Sequence, residues 1–191
     1  MIAAERTTLI LLAAGRSERF GDLDKLTQDF LGQPLAFHVV TTLEAVPFHD
    51  RIVVQSGTHL DFTTRGFRTI HNDRPEIGMS NSVRLGVEAA RATGAEAVLI
   101  TLADMPSVTA AHIYRLLDAA DGPDAVVASS DGVKPCPPAL FGADRFDALL
   151  SLHGDEGARA MIAGGKHIIA PAHELLDIDR PEDLVRLRAP H

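Results

Sequence analysis

The stretch LILLAAGRSERFGDLDK, from Leu9 to Lys25, decides the fold. Four aliphatic residues run into Ala13, Ala14 and Gly15, and a burst of charge follows. A short aliphatic run bounded by glycine is a strand buried on both faces, and it ends where the chain turns polar. The strand is read as Thr8–Ala13, with Ala14–Lys25 as the loop beyond its carboxyl end.

Working outward, the same signature recurs. Arg51–Gln55, Phe67–His71, Ala97–Leu102 and Ala125–Ser129 are short runs rich in Val, Ile or Leu, and they read as further strands. Helical spacing fills the intervals. Pro34 opens a helix through Ala45, and Ser80 or Asn81 caps one through about Ala92 with Val83, Val87 and Ala90 on one stripe. Thr109–Ala120, Ala143–Ser151, Glu156–Ala163 and Pro181–Arg188 complete the set. Alternation of this kind makes βαβ units: an α/β protein of three αβα layers around a mostly parallel, twisted sheet. Proline density over Asp131–Pro138 reads as a surface loop. No repeat, linker or low-complexity tract divides the chain, so residues 1–191 are expected to form a single domain.

Parallel sheets bind ligands beyond the carboxyl ends of their strands. In the first such loop Gly15 lets backbone come close to a ligand, and consecutive amides can form an anion nest. Arg16, Arg19 and Lys25 add positive charge there. The phosphate loop G-x-x-x-x-G-K-[ST] is excluded because Asp22 follows Gly21, and G-x-G-x-x-G is absent. From these residues alone a phosphate site and a plain strand-to-loop turn both stay open.

The segment LAAGRSERFGDLDKL resembles the L-A-A-G-x-S-x-R-[MF]-G-x-x-x-K signature of the MobA/MocA nucleotidyltransferases. It is most similar to the molybdenum cofactor cytidylyltransferases of that group. The resemblance implies the nucleotide-diphospho-sugar transferase fold (GT-A-like and Rossmannoid). It implies a loop that wraps a nucleoside triphosphate: Arg16 on the leaving pyrophosphate, Lys25 on the α-phosphate, and Leu12, Ala13, Ala14, Gly15 and Ser17 as further nucleotide contacts. Ala-Ala-Gly at Ala13–Gly15, where guanylyl members usually carry Ala-Gly-Gly, favours CTP over GTP.

Two acidic segments come next. In VLITLADMPSV (Val98–Val108) an apolar strand runs directly into Asp104, which stands at the ligand edge or caps a turn. In LLDIDRPEDLVRLR, Asp177 and Asp179 are two apart and share one face of an extended segment. Glu182 and Asp183 open the last helix, where acids favour the helix dipole. The family's L-x-D-x-P and D-x-P-E-D segments imply Asp104 and Asp179 as ligands of Mg²⁺, with Asp177 in reserve. Mg²⁺ takes one or two carboxylates and leaves the rest of its octahedron to water and phosphates.

NDRPEIGMSNSVRLGV (Asn72–Val87) resembles the family's G-M-x-x-S-[LV]-x-x-G segment, which implies Ser80 and Ser82 as nucleotide contacts and brings Arg74 near the same pocket. KPCPPALFG and HGDEGARAMI resemble the later, acceptor-facing segments. Asp155 and Arg159 are the acceptor candidates there, with a solvated helix face as the other reading of Arg159. Cys136-Pro137 departs from the family's glycine-rich pattern, and Cys136 has no paired histidine to make it a nucleophile.

The chain carries 18 Lys and Arg against 26 Asp and Glu, a formal net charge of -8. That excludes a generally basic nucleic-acid surface, and the sparse aromatics offer no base-stacking platform. One cysteine, an N-terminus without a basic-then-apolar order and no long apolar run give a cytoplasmic expectation with no membrane partner. The family resemblance implies the partners: an NTP, CTP first, and a phosphorylated small-molecule acceptor, molybdopterin. A molybdoenzyme is a further expected partner. A sugar-nucleotide glycosyltransferase and a non-catalytic cofactor-delivery factor are the competing readings.

Overall fold

The computed structural model describes residues 1–15, 24–154 and 158–188. The first strand, β1 (Thr7–Ala13), is buried along its whole length. A short hairpin of β2 (Asp29–Phe30) and β3 (Gln33–Pro34) leads into α1 (Leu35–Glu44), followed by β4 (Asp50–Gln55), β5 (Arg68–His71), α2 (Met79–Ala92), β6 (Ala97–Leu102) and α3 (Ala110–Ala119). The chain closes with β7 (Val126–Ser130), β8 (Pro135–Gly142), α4 (Phe146–Leu150), α5 (Arg159–Ala163), β9 (Lys166–Ile169) and α6 (Pro181–Arg188).

Among the described residues seven strands form one sheet in the order β5-β4-β1-β6-β8-β7-β9. Only β8 runs against its neighbours. The alternation of side chains along β1 builds both cores. Leu9, Leu11 and Ala13 pack with Val39 and Leu43 of α1 and with Ile113 and Leu116 of α3. Ile10 and Leu12 face the opposite layer, Val83 and Val87 of α2 with Phe146 and Leu149 of α4. Period-two burial on a two-sided sheet requires this division. The α2 helix lies so close to β1 that a Cβ on Gly86 would meet Ile10 Cγ2 at 2.6 Å.

The expected elements hold with small shifts at their ends, and three readings are corrected. Asp131–Pro138 is not all loop, because β8 begins at Pro135 and is an interior strand between β6 and β7. The register shows how the sheet tolerates its prolines: Pro135 opens the strand, and Pro137 and Pro138 fall in an irregularity where the pairing jumps from Ala128↔Ala139 to Ser129↔Cys136. Second, neither Ser80 nor Asn81 caps α2. Its N-cap is Gly78, at φ 96 and ψ -173, a conformation essentially restricted to glycine. Third, β5 is an exposed edge strand rather than one covered on both faces.

Candidate active site

Where β1 and β6 end side by side, the N–H of Ala103 donates to Leu12 O (3.0 Å), and both segments turn into one cavity of about 400 Å³. Leu12–Gly15 form one wall, Lys25, Leu102 and Asp104 another, and Pro75, Glu76, Gly78, Met79 and Ser82 a third. Among the described residues a Cβ built on Gly15 would touch nothing within 4 Å. The missing side chain keeps that wall open to a ligand.

Lys25 is set by its own turn. Residues Lys25–Thr27 form one 3-10 turn, and Asp24 caps it with Oδ1 accepting from Leu26 N at 3.0 Å. The other carboxylate oxygen of Asp24 accepts from Thr58 Oγ1 at 2.6 Å, which anchors the turn to the loop after β4. Lys25 Nζ then donates to Asp104 Oδ2 at 2.6 Å and lies 3.9 Å from Asp179 Oδ1. The Lys25 side chain is 11% exposed and that of Asp104 16%.

Asp179 reaches the site through the segment before α6. Ile178 is fully buried, packs with Phe30, Leu35 and Leu184, and donates its N–H to Asp104 O at 2.9 Å. Asp183 Oδ2 accepts from the N–H groups of Asp179 (3.0 Å) and Arg180 (2.8 Å), a third-position acid reaching back over its helix start. With Ile178 turned inward, Asp177 and Asp179 flank it on the exposed side.

The electrostatics suit a hard cation. Burial raises the Asp104 carboxyl above its usual range, Lys25 opposes this, and Asp177 and Asp179 add to the rise. Two carboxylates, Asp104 and Asp179, therefore face one ammonium, with the charge of Asp177 felt at Asp104. Asp104 Oδ1 is buried without a hydrogen-bond partner among the described residues. An all-oxygen donor set with surplus negative charge and an unsatisfied carboxylate oxygen fits Mg²⁺. Among the described residues no cluster of three or more His, Cys, Asp or Glu side chains could hold a metal.

Asn72, just after β5, was not singled out in the sequence because a lone asparagine before a turn carries no motif. It is fully buried. Its Nδ2 donates to Ser82 Oγ at 2.9 Å, and its Oδ1 accepts from Arg74 N (3.0 Å) and Asn81 Nδ2 (2.7 Å). Ser82 lines the cavity. Ser80 does not: it is fully buried, its N–H bonds Gly154 O at 3.2 Å, and its hydroxyl has no partner among the described residues. Arg74 is exposed. Arg159 is exposed at the start of α5 and does not line the cavity. Arg16, Ser17 and Arg19, and also Asp155, lie outside the described residues. Cys136 is half-buried, and burial pushes its thiol up to about 11. No helix among the described residues is long and apolar enough to cross a membrane.

Residues 9–172 match the MobA-like NTP transferase domain family. The purine catabolism protein PucB of Bacillus subtilis is 30% identical, over 93% of this chain and 94% of its own. A molybdenum cofactor guanylyltransferase of Methylibium petroleiphilum is 29% identical, over 88% of this chain and 82% of its own. Among solved structures, a nucleotidyl transferase from Methanothermobacter superposes with a TM-score of 0.78 at 23% identity, covering 95% of each chain, and shares the fold.

Proposed function

The chain belongs to the MobA-like NTP transferase family of nucleotidyltransferases, and from that premise we propose that it moves a cytidylyl group from CTP to a phosphorylated small-molecule acceptor. The acceptor in this reading is molybdopterin or its molybdenum-loaded form, which the relatives named molybdenum cofactor guanylyltransferase support. Those names also favour one second reading, guanylyl transfer from GTP. Ala13-Ala14-Gly15 carries the cytidylyl preference by resemblance. A single observation carries the proposal: Lys25 and Asp104 are paired in the lining of one cavity beyond the carboxyl ends of β1 and β6, with Asp179 3.9 Å from the same ammonium.

The reaction is an in-line displacement. An acceptor phosphate oxygen forms a new bond to the α-phosphorus, the α–β bridging P–O bond breaks, and its electron pair leaves with pyrophosphate. No protein nucleophile is needed. Lys25 holds an ammonium against the phosphate oxygens, where a fixed positive charge offsets the charge that develops in the transition state. Asp104 and Asp179 would hold Mg²⁺, which when bound neutralises charge on the phosphate oxygens.

The test is pyrophosphate release. Purified protein, molybdopterin and each NTP are mixed with and without Mg²⁺. Mg²⁺- and acceptor-dependent release from CTP is expected. Release from GTP alone would move the protein to the guanylyl reading, and release from neither nucleotide would sink the proposal.

A further inference from the structure

We infer that Asn72 is a positioning residue that fixes the Ser82 hydroxyl as a hydrogen-bond donor into the cavity, aimed at an acceptor atom of the bound nucleotide. The inference rests on the nucleotidyltransferase reading of the cavity and adds a residue and a polarity to it.

The directions in this network follow from chemistry. A backbone N–H only donates, so the Asn72 atom 3.0 Å from Arg74 N is the amide oxygen. The same oxygen takes the Asn81 amide nitrogen at 2.7 Å, and Asn81 Oδ1 in turn accepts from Arg84 Nη2 at 3.0 Å. Guanidinium nitrogens have no acceptor role, so this end is fixed too. The remaining Asn72 atom must be the NH₂ group, and it donates to Ser82 Oγ at 2.9 Å. Donors therefore run one way, from Arg84 through Asn81 and Asn72 to Ser82.

The consequence falls on the serine proton. Ser82 Oγ already accepts from Asn72, and among the described residues its own hydrogen has no acceptor. Ser82 is 4% exposed, yet it lines the cavity. Its free donor opens toward the bound ligand. Each bond in such a chain polarises the next, so the serine presents a strengthened donor to an incoming acceptor. A nucleotide offers two acceptor classes, base carbonyl or ring nitrogen, and phosphate oxygen.

The experiment is a binding cycle on the full chain by calorimetry, with CTP and Mg²⁺, over wild type, S82A, N72D and N72D/S82A. The carboxylate introduced by N72D still accepts from Arg74 N and from Asn81, but it draws the Ser82 proton back onto itself. S82A should weaken CTP by about tenfold, the size of one neutral hydrogen bond. N72D should lose a similar factor, and the double variant should lose no more than S82A alone. Multiplied losses would make Asn72 merely structural, and wild-type binding by N72D or by S82A would overturn the inference. Should N72D fail to fold, N72A, which removes the amide that holds the Ser82 oxygen, takes its place in the same cycle with the same outcomes. Inorganic triphosphate run alongside separates the acceptor classes: equal losses place it on phosphate, and loss confined to CTP places it on the nucleoside. Absence of NTP binding in the wild type would instead refute the reading beneath.

Discussion

Lys25→Ala removes an ammonium that sits 2.6 Å from Asp104 and 3.9 Å from Asp179, and it should show up in two separable ways. In the free protein it strands the Asp104 carboxylate. Both side chains are nearly enclosed, at 11% and 16% exposure, so surface screening offers little relief. A charged hydrogen bond in that setting contributes about 2 kcal/mol. Full breakage of a buried pair costs more, but the cavity admits water to Asp104 and moderates the loss. For a chain of this size about 2 kcal/mol lowers the melting midpoint by about 4–8 °C. In turnover the same substitution removes a preorganised charge from the phosphate oxygens, which costs about 10²–10³ in rate. Calorimetric melting without nucleotide reads the first effect. Pyrophosphate release at a temperature where the variant is folded reads the second. A folded Lys25→Ala protein with a rate within about threefold of wild type would remove Lys25 from the chemistry.

Asp179→Asn should leave the melting midpoint nearly unchanged, since that side chain is 49% exposed, yet raise the Mg²⁺ needed for half-maximal activity by about tenfold. Asp177→Asn should shift it by less than about threefold, and the reverse order would exchange their roles. His112 is buried between Ser129 Oγ (2.7 Å) and Arg115 Nη2 (2.9 Å), and burial holds its imidazole below the usual range. The unfolded chain then takes up a proton first, so stability is full above the unfolded pKa of about 6.5 and falls as the pH drops through it, by at most about 1.4 kcal/mol per unit. Melting midpoints between about pH 7.5 and 5.5, a span chosen to bracket that pKa, should fall less steeply in His112→Gln. Parallel slopes would acquit the histidine. With its thiol pushed up to about 11, Cys136 should resist iodoacetamide at about pH 8, and Cys136→Ser should keep wild-type turnover. Rapid alkylation with loss of activity would contradict that.

Legibility in the sequence followed physical cause. β1 and β6 were readable because strands covered by helices on both faces leave unbroken aliphatic runs. The position of Lys25 and Asp104 beyond such strands put them at the ligand edge, but only the family resemblance gave them roles, and their 2.6 Å contact joins segments 79 residues apart. The period of two put Asp177 and Asp179 on one side of Ile178. β8 was hidden by its prolines, which read as loop until the irregular register shows where the missing N–H groups fall. β9 was missed because an edge strand half in solvent carries no apolar signal. Ser80 and Ser82 look alike in sequence, two residues apart on one helix, where such residues do not share a face. Only Ser82 faces the cavity, and the buried Asn72 that bonds it comes from the segment after β5. Burial of a single polar side chain is a tertiary fact with no local signature.

The most direct test of the central claim is a calorimetric titration of CTP, GTP, ATP and UTP into the wild type and Asp104→Ala, with and without Mg²⁺. The account predicts Mg²⁺-dependent binding with CTP tightest and loss of that dependence in Asp104→Ala. Triphosphate binding indifferent to both Mg²⁺ and Asp104, or no binding by the wild type, would contradict it.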